Sequence, residues 1–183
     1  PVKVGEYGIN YIRGLQSTGV IATSKHFPGH GDTSSDSHKA LPIIPHDKER
    51  LHNVELVPFK KVLNETKAIT SAHVLFEAYE KDQVPGTVSK NIITGLLREE
   101  LGYKGLIVSD CMEMKAIDDT FTTPVGVLMG LKAGLDQAMV SHTYSQQLKS
   151  FELIYDAVSK GEFTEKEIDE KLERILKAKE ESY

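Results

Sequence analysis

Residues 105–117 read GLIVSDCMEMKAI. The run Leu106 to Ser109 follows a glycine and a helix-like stretch, Asn91 to Leu101, and it ends in an acid, Asp110. Apolar residues stand side by side here instead of alternating with polar ones, the pattern of a strand covered on both faces. Three further runs have the same setting. Val20 to Thr23 (VIAT) follows an amphipathic stretch carrying Tyr7, Tyr11, Ile12 and Leu15. Ala68 to Ala72 (AITSA) follows Val57 to Leu63, and Gln137 to Val140 (QAMV) follows Val125 to Ala133 with Gly134 between them. Short apolar runs alternating with helical stretches that end at glycines are the signature of parallel βαβ units. The chain therefore reads as an α/β fold with about four parallel strands. Its last helix is marked most clearly: Thr164 and Glu167 have capping-box spacing, and Ile168, Leu172, Ile175 and Leu176 then share a face.

The 183 residues, 39% hydrophobic and 27% charged, have the balance of an ordinary globular domain and exclude disordered and collagen-like classes. No apolar stretch approaches the ~20 residues of a membrane-spanning helix. The net charge of −5, with scattered basic residues, argues against nucleic acid as a partner. A lone cysteine, Cys111, can form no internal disulfide. With no internal repeat, low-complexity segment or linker, the chain reads as one domain, yet a complete (β/α)8 barrel takes about 250 residues. The first residue is Pro1, so processing or truncation is expected ahead of it, and the compartment stays open.

The strand–helix rhythm breaks at Lys25 to Pro45. This loop of glycines and prolines is too long for a plain connection, and loops at the carboxyl ends of parallel strands carry chemistry. Residues 25–42 read KHFPGHGDTSSDSHKALP and bring together His26, His30, Asp32, Asp36 and His38. Three readings stand open: a polar turn-forming loop; a metal site, although the spacing matches no defensible ligand template; and acid/base catalysis. In the last, Asp36 would accept the Nδ1 proton of His38, fix its tautomer and leave Nε2 facing a substrate. Asp110 would lie at the mouth of the sheet, either as an N-cap or as a catalytic carboxylate of glycoside hydrolysis. Cys111 has no neighbouring histidine in sequence to activate it, and Ser109 lacks a glycine-flanked elbow. His73 ends the second predicted strand, which directs it toward a ligand pocket, while His30 and Asp32 either shape the loop or touch substrate.

The histidine loop followed by GLIVSDCMEMKAI resembles the glycoside hydrolase family 3 β-N-acetylhexosaminidases, across nearly the whole chain. The resemblance implies one segment, residues 1–183, of a TIM-type catalytic barrel whose first half is absent. It implies Asp110 as nucleophile, His38 as general acid/base and Asp36 as the partner that orients it, with Lys25 and His26 bonding sugar hydroxyls. The implied activity is retaining hydrolysis of terminal β-linked N-acetylglucosamine, in cell-wall or amino-sugar turnover, with no metal or cofactor. Because a neutral imidazole does not repel phosphate, a phosphorylase is an alternative, as are a non-catalytic sugar-binding half-barrel and a metal-dependent hydrolase. The arginine and aspartate with which the family's first half grips the sugar have no counterpart here. The expected partners are therefore an amino-sugar glycoside and either the missing half or a second copy of the chain.

Overall fold

A computed structural model of the chain describes residues 1–33 and 41–180. Helix α1 (Val2–Gln16) leads into β1 (Thr23–Phe27), and after the long loop come β2 (Ile43–Ile44), α2 (Lys48–Asn53) and α3 (Leu56–Val62). Next are β3 (Ala68–Ser71), β4 (Leu75–Phe76), a 3-10 turn (Gly86–Val88), a π-type helix (Asn91–Glu100) and β5 (Leu106–Cys111). Helices α4 (Lys115–Phe121) and α5 (Thr123–Ala133), strand β6 (Gln137–Met139) and helices α6 (Tyr144–Ser159) and α7 (Glu165–Glu180) complete the order.

The main sheet has the order β1-β3-β5-β6, and every pairing is parallel. The four-stranded α/β reading of the sequence therefore holds. A separate parallel pair, β2 with β4, sits on the connections. Strand β3 is buried at all of its positions, as its unbroken apolar run implies. Its helix-side neighbours Phe27, Phe59, Phe76, Ile92, Leu96 and Ile107 form the main core.

Three local readings are corrected. The first strand is not Val20–Thr23 but Thr23–Phe27, paired from Thr23 opposite Ala68 to Phe27 opposite Ser71. Its residues are mostly polar, and within it only Phe27 is buried, so the run lacks the apolar signal that marks β3 and β5. Lys25 and His26 thus lie within the strand. On α1, Ile12 is buried but Tyr7 and Tyr11 are each 75% exposed. On α7 the capping box forms as expected, Glu167 N–H donating to Thr164 Oγ1 and Thr164 N–H to Glu167 Oε2. Leu172 and Leu176 nevertheless remain about half exposed, at 49% and 48%. The helix is seated through Ala178 and the expected Ile175, against Ala68 and Leu106 at the amino ends of the strands, and through polar anchors. Arg174 Nε donates to Asp136 Oδ1 at 2.7 Å, and Lys171 Nζ donates to the Leu135 carbonyl at 2.7 Å.

Candidate active site

Parallel strands end their side-chain display on one edge of the sheet, and the loops that leave there converge. At that edge β1 carries Lys25 and His26, and β5 carries Asp110. The peptide bonds Lys25–His26 and Phe27–Pro28 are both cis. His26 Nε2 lies 3.1 Å from Asp110 Oδ2, with 28% and 26% of the two side chains exposed. The other carboxylate oxygen, Oδ1, accepts the Cys111 backbone N–H at 2.8 Å. The hydrogen bond from His26, supported by that backbone amide, outweighs partial burial and holds the Asp110 carboxyl well below the usual carboxylate range. The result is an ionised, half-open carboxylate fixed at both oxygens.

Behind it lies His73, buried at 1% exposure. Its Nε2 is 2.9 Å from the Cys111 carbonyl and its Nδ1 is 2.8 Å from Thr87 Oγ1. A carbonyl can only accept, so Nε2 carries the proton and Nδ1 accepts from the Thr87 hydroxyl. The Ser71 hydroxyl in turn donates to Thr87 Oγ1 at 2.9 Å, which gives the chain one direction. Burial lowers the His73 pKa to about 4, so the ring is neutral. Both ring nitrogens of His73 are thus engaged inside the protein, and its Nε2–H fixes the carbonyl of Cys111, the residue after Asp110.

The remaining candidates separate by the same accounting. The His30 ring meets His26 edge-on at 5.6 Å and its Nδ1 is 3.0 Å from Thr33 Oγ1. Asp32 Oδ2 lies 2.6 Å from His46 Nε2 and 3.6 Å from the Arg50 guanidinium, a contact that ties the histidine loop to α2. Lys25, His26 and His30 line a depression of about 290 Å³ with Pro58 and Phe59. The Ser109 hydroxyl is buried and accepts the Met139 N–H at 2.8 Å, so it joins β5 to β6. Asp36 and His38 lie outside the described residues. Two contributors carry no local sequence signal: Thr87, whose partner His73 is fourteen positions away, and Glu113, which accepts backbone N–H groups of Ser141, His142 and Thr143.

A parallel α/β layer with an imidazole and a carboxylate at its carboxyl edge is the arrangement of barrel-type enzymes. A model of the family described as "Glycosyl hydrolase family 3 N terminal domain" matches residues 1–178, and the chain belongs to that family. It is 31% identical over 197 residues to Beta-hexosaminidase A of Pseudoalteromonas piscicida, which covers 98% of this chain and 33% of that protein. With a Beta-hexosaminidase of Stenotrophomonas maltophilia (strain K279a) the identity is 35% over 143 residues, covering 78% and 42%. The structure of a glycoside hydrolase family 3 beta-N-acetylglucosaminidase from Paenibacillus sp. str. FPU-7 superposes with a TM-score of 0.95 at 44% identity, covering 97% of this chain and 34% of that one. The chain therefore spans a third to two fifths of the length of these relatives.

Proposed function

We propose that this chain supplies the nucleophile and the acid/base loop of a retaining glycosidase that removes terminal β-linked N-acetylglucosamine. The observation that carries this reading is Asp110: an ionised carboxylate at a strand's carboxyl end, held at both oxygens and still a quarter exposed. In the first step an Asp110 oxygen attacks C1 as the C1–O bond to the leaving group breaks, and His38 as imidazolium gives its proton to the departing oxygen. In the second, neutral His38 takes a proton from water, whose oxygen attacks C1 and releases Asp110 as carboxylate. Asp36 orients the His38 ring in both steps. Lys25 and His26 bond sugar hydroxyls, and His26 also keeps Asp110 charged. The relatives named β-hexosaminidase and β-N-acetylglucosaminidase support the substrate class.

The main sheet ends in β1 on one side and β6 on the other, and a pair of unpaired parallel edges is normally covered. We propose that a further barrel segment of the whole protein pairs with both edges and supplies the remaining sugar contacts. The test of the chemistry is Asp110→Asn in the whole protein, assayed on an aryl N-acetylglucosaminide. Turnover falls at least about a thousandfold, and a fluorinated N-acetylglucosaminyl fluoride labels the wild-type peptide that contains Asp110. Undiminished turnover, or a label on another carboxylate, removes Asp110 as nucleophile.

A further inference from the structure

We propose that Cys111, Glu113 and His142 form a binding site for a zinc-class divalent ion at the carboxyl edge of the sheet. The three residues come from two segments, the end of β5 and the loop between β6 and α6. Each offers a ligand atom, and these atoms all lie within 4.8 Å of one another. Cys111 Sγ and Glu113 Oε2 are already 3.7 Å apart. Tetrahedral coordination with metal–sulfur bonds of about 2.3 Å and metal–nitrogen or –oxygen bonds of about 2.0–2.2 Å separates neighbouring donors by about 3.3–3.7 Å. The thiol–carboxylate pair has that spacing as it stands. Closing the set requires a shift of about 1 Å, which the exposed His142 side chain can make by rotation.

The donors also decide the metal. Thiolate and imidazole favour zinc and its neighbours over calcium or magnesium, which take oxygen ligands. Glu113 Oε2 accepts the Ser141 and His142 N–H groups, and Oε1 accepts the Thr143 N–H. Those same bonds fix the carboxylate in place, as supporting hydrogen bonds do for metal ligands. On binding, Cys111 gives its thiol proton to solvent, and a water completes the fourth vertex. The second convergence of such groups, Asp32, His46 and Glu55, differs because it already holds a cation: the Arg50 guanidinium lies 2.9 Å from Glu55 and 3.6 Å from Asp32.

Cobalt(II) titration of the purified protein tests the site independently of any glycosidase activity. Bound cobalt gives a near-ultraviolet thiolate-to-metal charge-transfer band and intense visible bands of tetrahedral coordination, both removed by an equivalent of zinc. The chain has one cysteine, so the charge-transfer band can arise only from Cys111. Cys111→Ser abolishes it, and His142→Ala, an exposed change that spares folding, weakens cobalt affinity at least about tenfold. Absence of the charge-transfer band in the wild type, its persistence in Cys111→Ser, or an unchanged affinity in His142→Ala overturns the proposal.

Discussion

His73 shows how a single buried side chain can order the carboxyl edge of the sheet. Its proton fixes the Cys111 carbonyl, and the N–H of the same residue, on the preceding peptide, donates to Asp110. His73→Leu leaves the Cys111 carbonyl and the Thr87 hydroxyl without their buried partner, at a cost of about 2–4 kcal/mol. With Asp110 as the proposed nucleophile, the expected kinetic signature is a fall in kcat with KM little changed, because the Cys111 backbone that holds the carboxylate is displaced. The same residue couples stability to pH. Its pKa falls from 6.5 to about 4 on folding, so below about pH 6.5 the unfolded chain binds a proton that the folded one cannot. The stabilisation is complete above 6.5 and is lost as the pH drops toward 4, by about 3 kcal/mol in all. Denaturant titrations across that range show the slope in the wild type and its loss in His73→Leu; parallel slopes would assign the effect to other groups.

Among the elements, one buried carboxylate does much to attach α7 to the sheet. Asp136 Oδ2 accepts from Arg98 Nη2 at 2.6 Å and from the Ile107 N–H at 2.8 Å, while Oδ1 accepts from Arg174. One side chain thus joins the π-type helix, β5 and α7 just ahead of β6. Asp136→Ala removes the anion and leaves two arginines facing each other, with an expected loss of about 3–5 kcal/mol in denaturant unfolding. This network was invisible in the sequence, because its members are 38 positions apart and no periodicity connects them. What could be read was whatever repeats locally. The apolar runs gave β3, β5 and β6, and the Thr164–Glu167 pair gave the start of α7. Strand β1 escaped because its inward contacts rest on Phe27 alone, and Leu172 and Leu176 misled because periodicity marks a helix face without saying how much of it a neighbour covers. At the site, Asp110 was legible from its place at a strand's end, and His26 from the histidine-rich run that it opens. The occupied nitrogens of His73 were not, since Thr87 reaches it only through the fold.

At the scale of the whole molecule, the outer strands are flanked by helices with exposed apolar faces. Helix α6 presents Tyr144, Leu148, Phe151, Tyr155 and Val158, exposed by 76%, 45%, 66%, 64% and 41%, along one stripe beside β6. An apolar stripe of this kind beside an unpaired strand edge favours self-association when nothing else covers it. Light scattering is expected to give the isolated chain a mass above its 20.3 kDa, and Phe151→Glu with Tyr155→Glu shifts the population toward that monomer mass. A wild-type chain that is monomeric at micromolar concentration would show that the open edges alone do not drive pairing. The sheet order β1-β3-β5-β6 also bears on how the molecule is made. Each of these strands lies beside the one that precedes it in the main sheet, so every pairing joins near neighbours along the chain. During synthesis each strand–helix unit can dock on the unit before it as soon as it emerges, without waiting for a distant segment. Within these four strands, growth can proceed by stepwise addition, β6 joining an edge that β5 already offers.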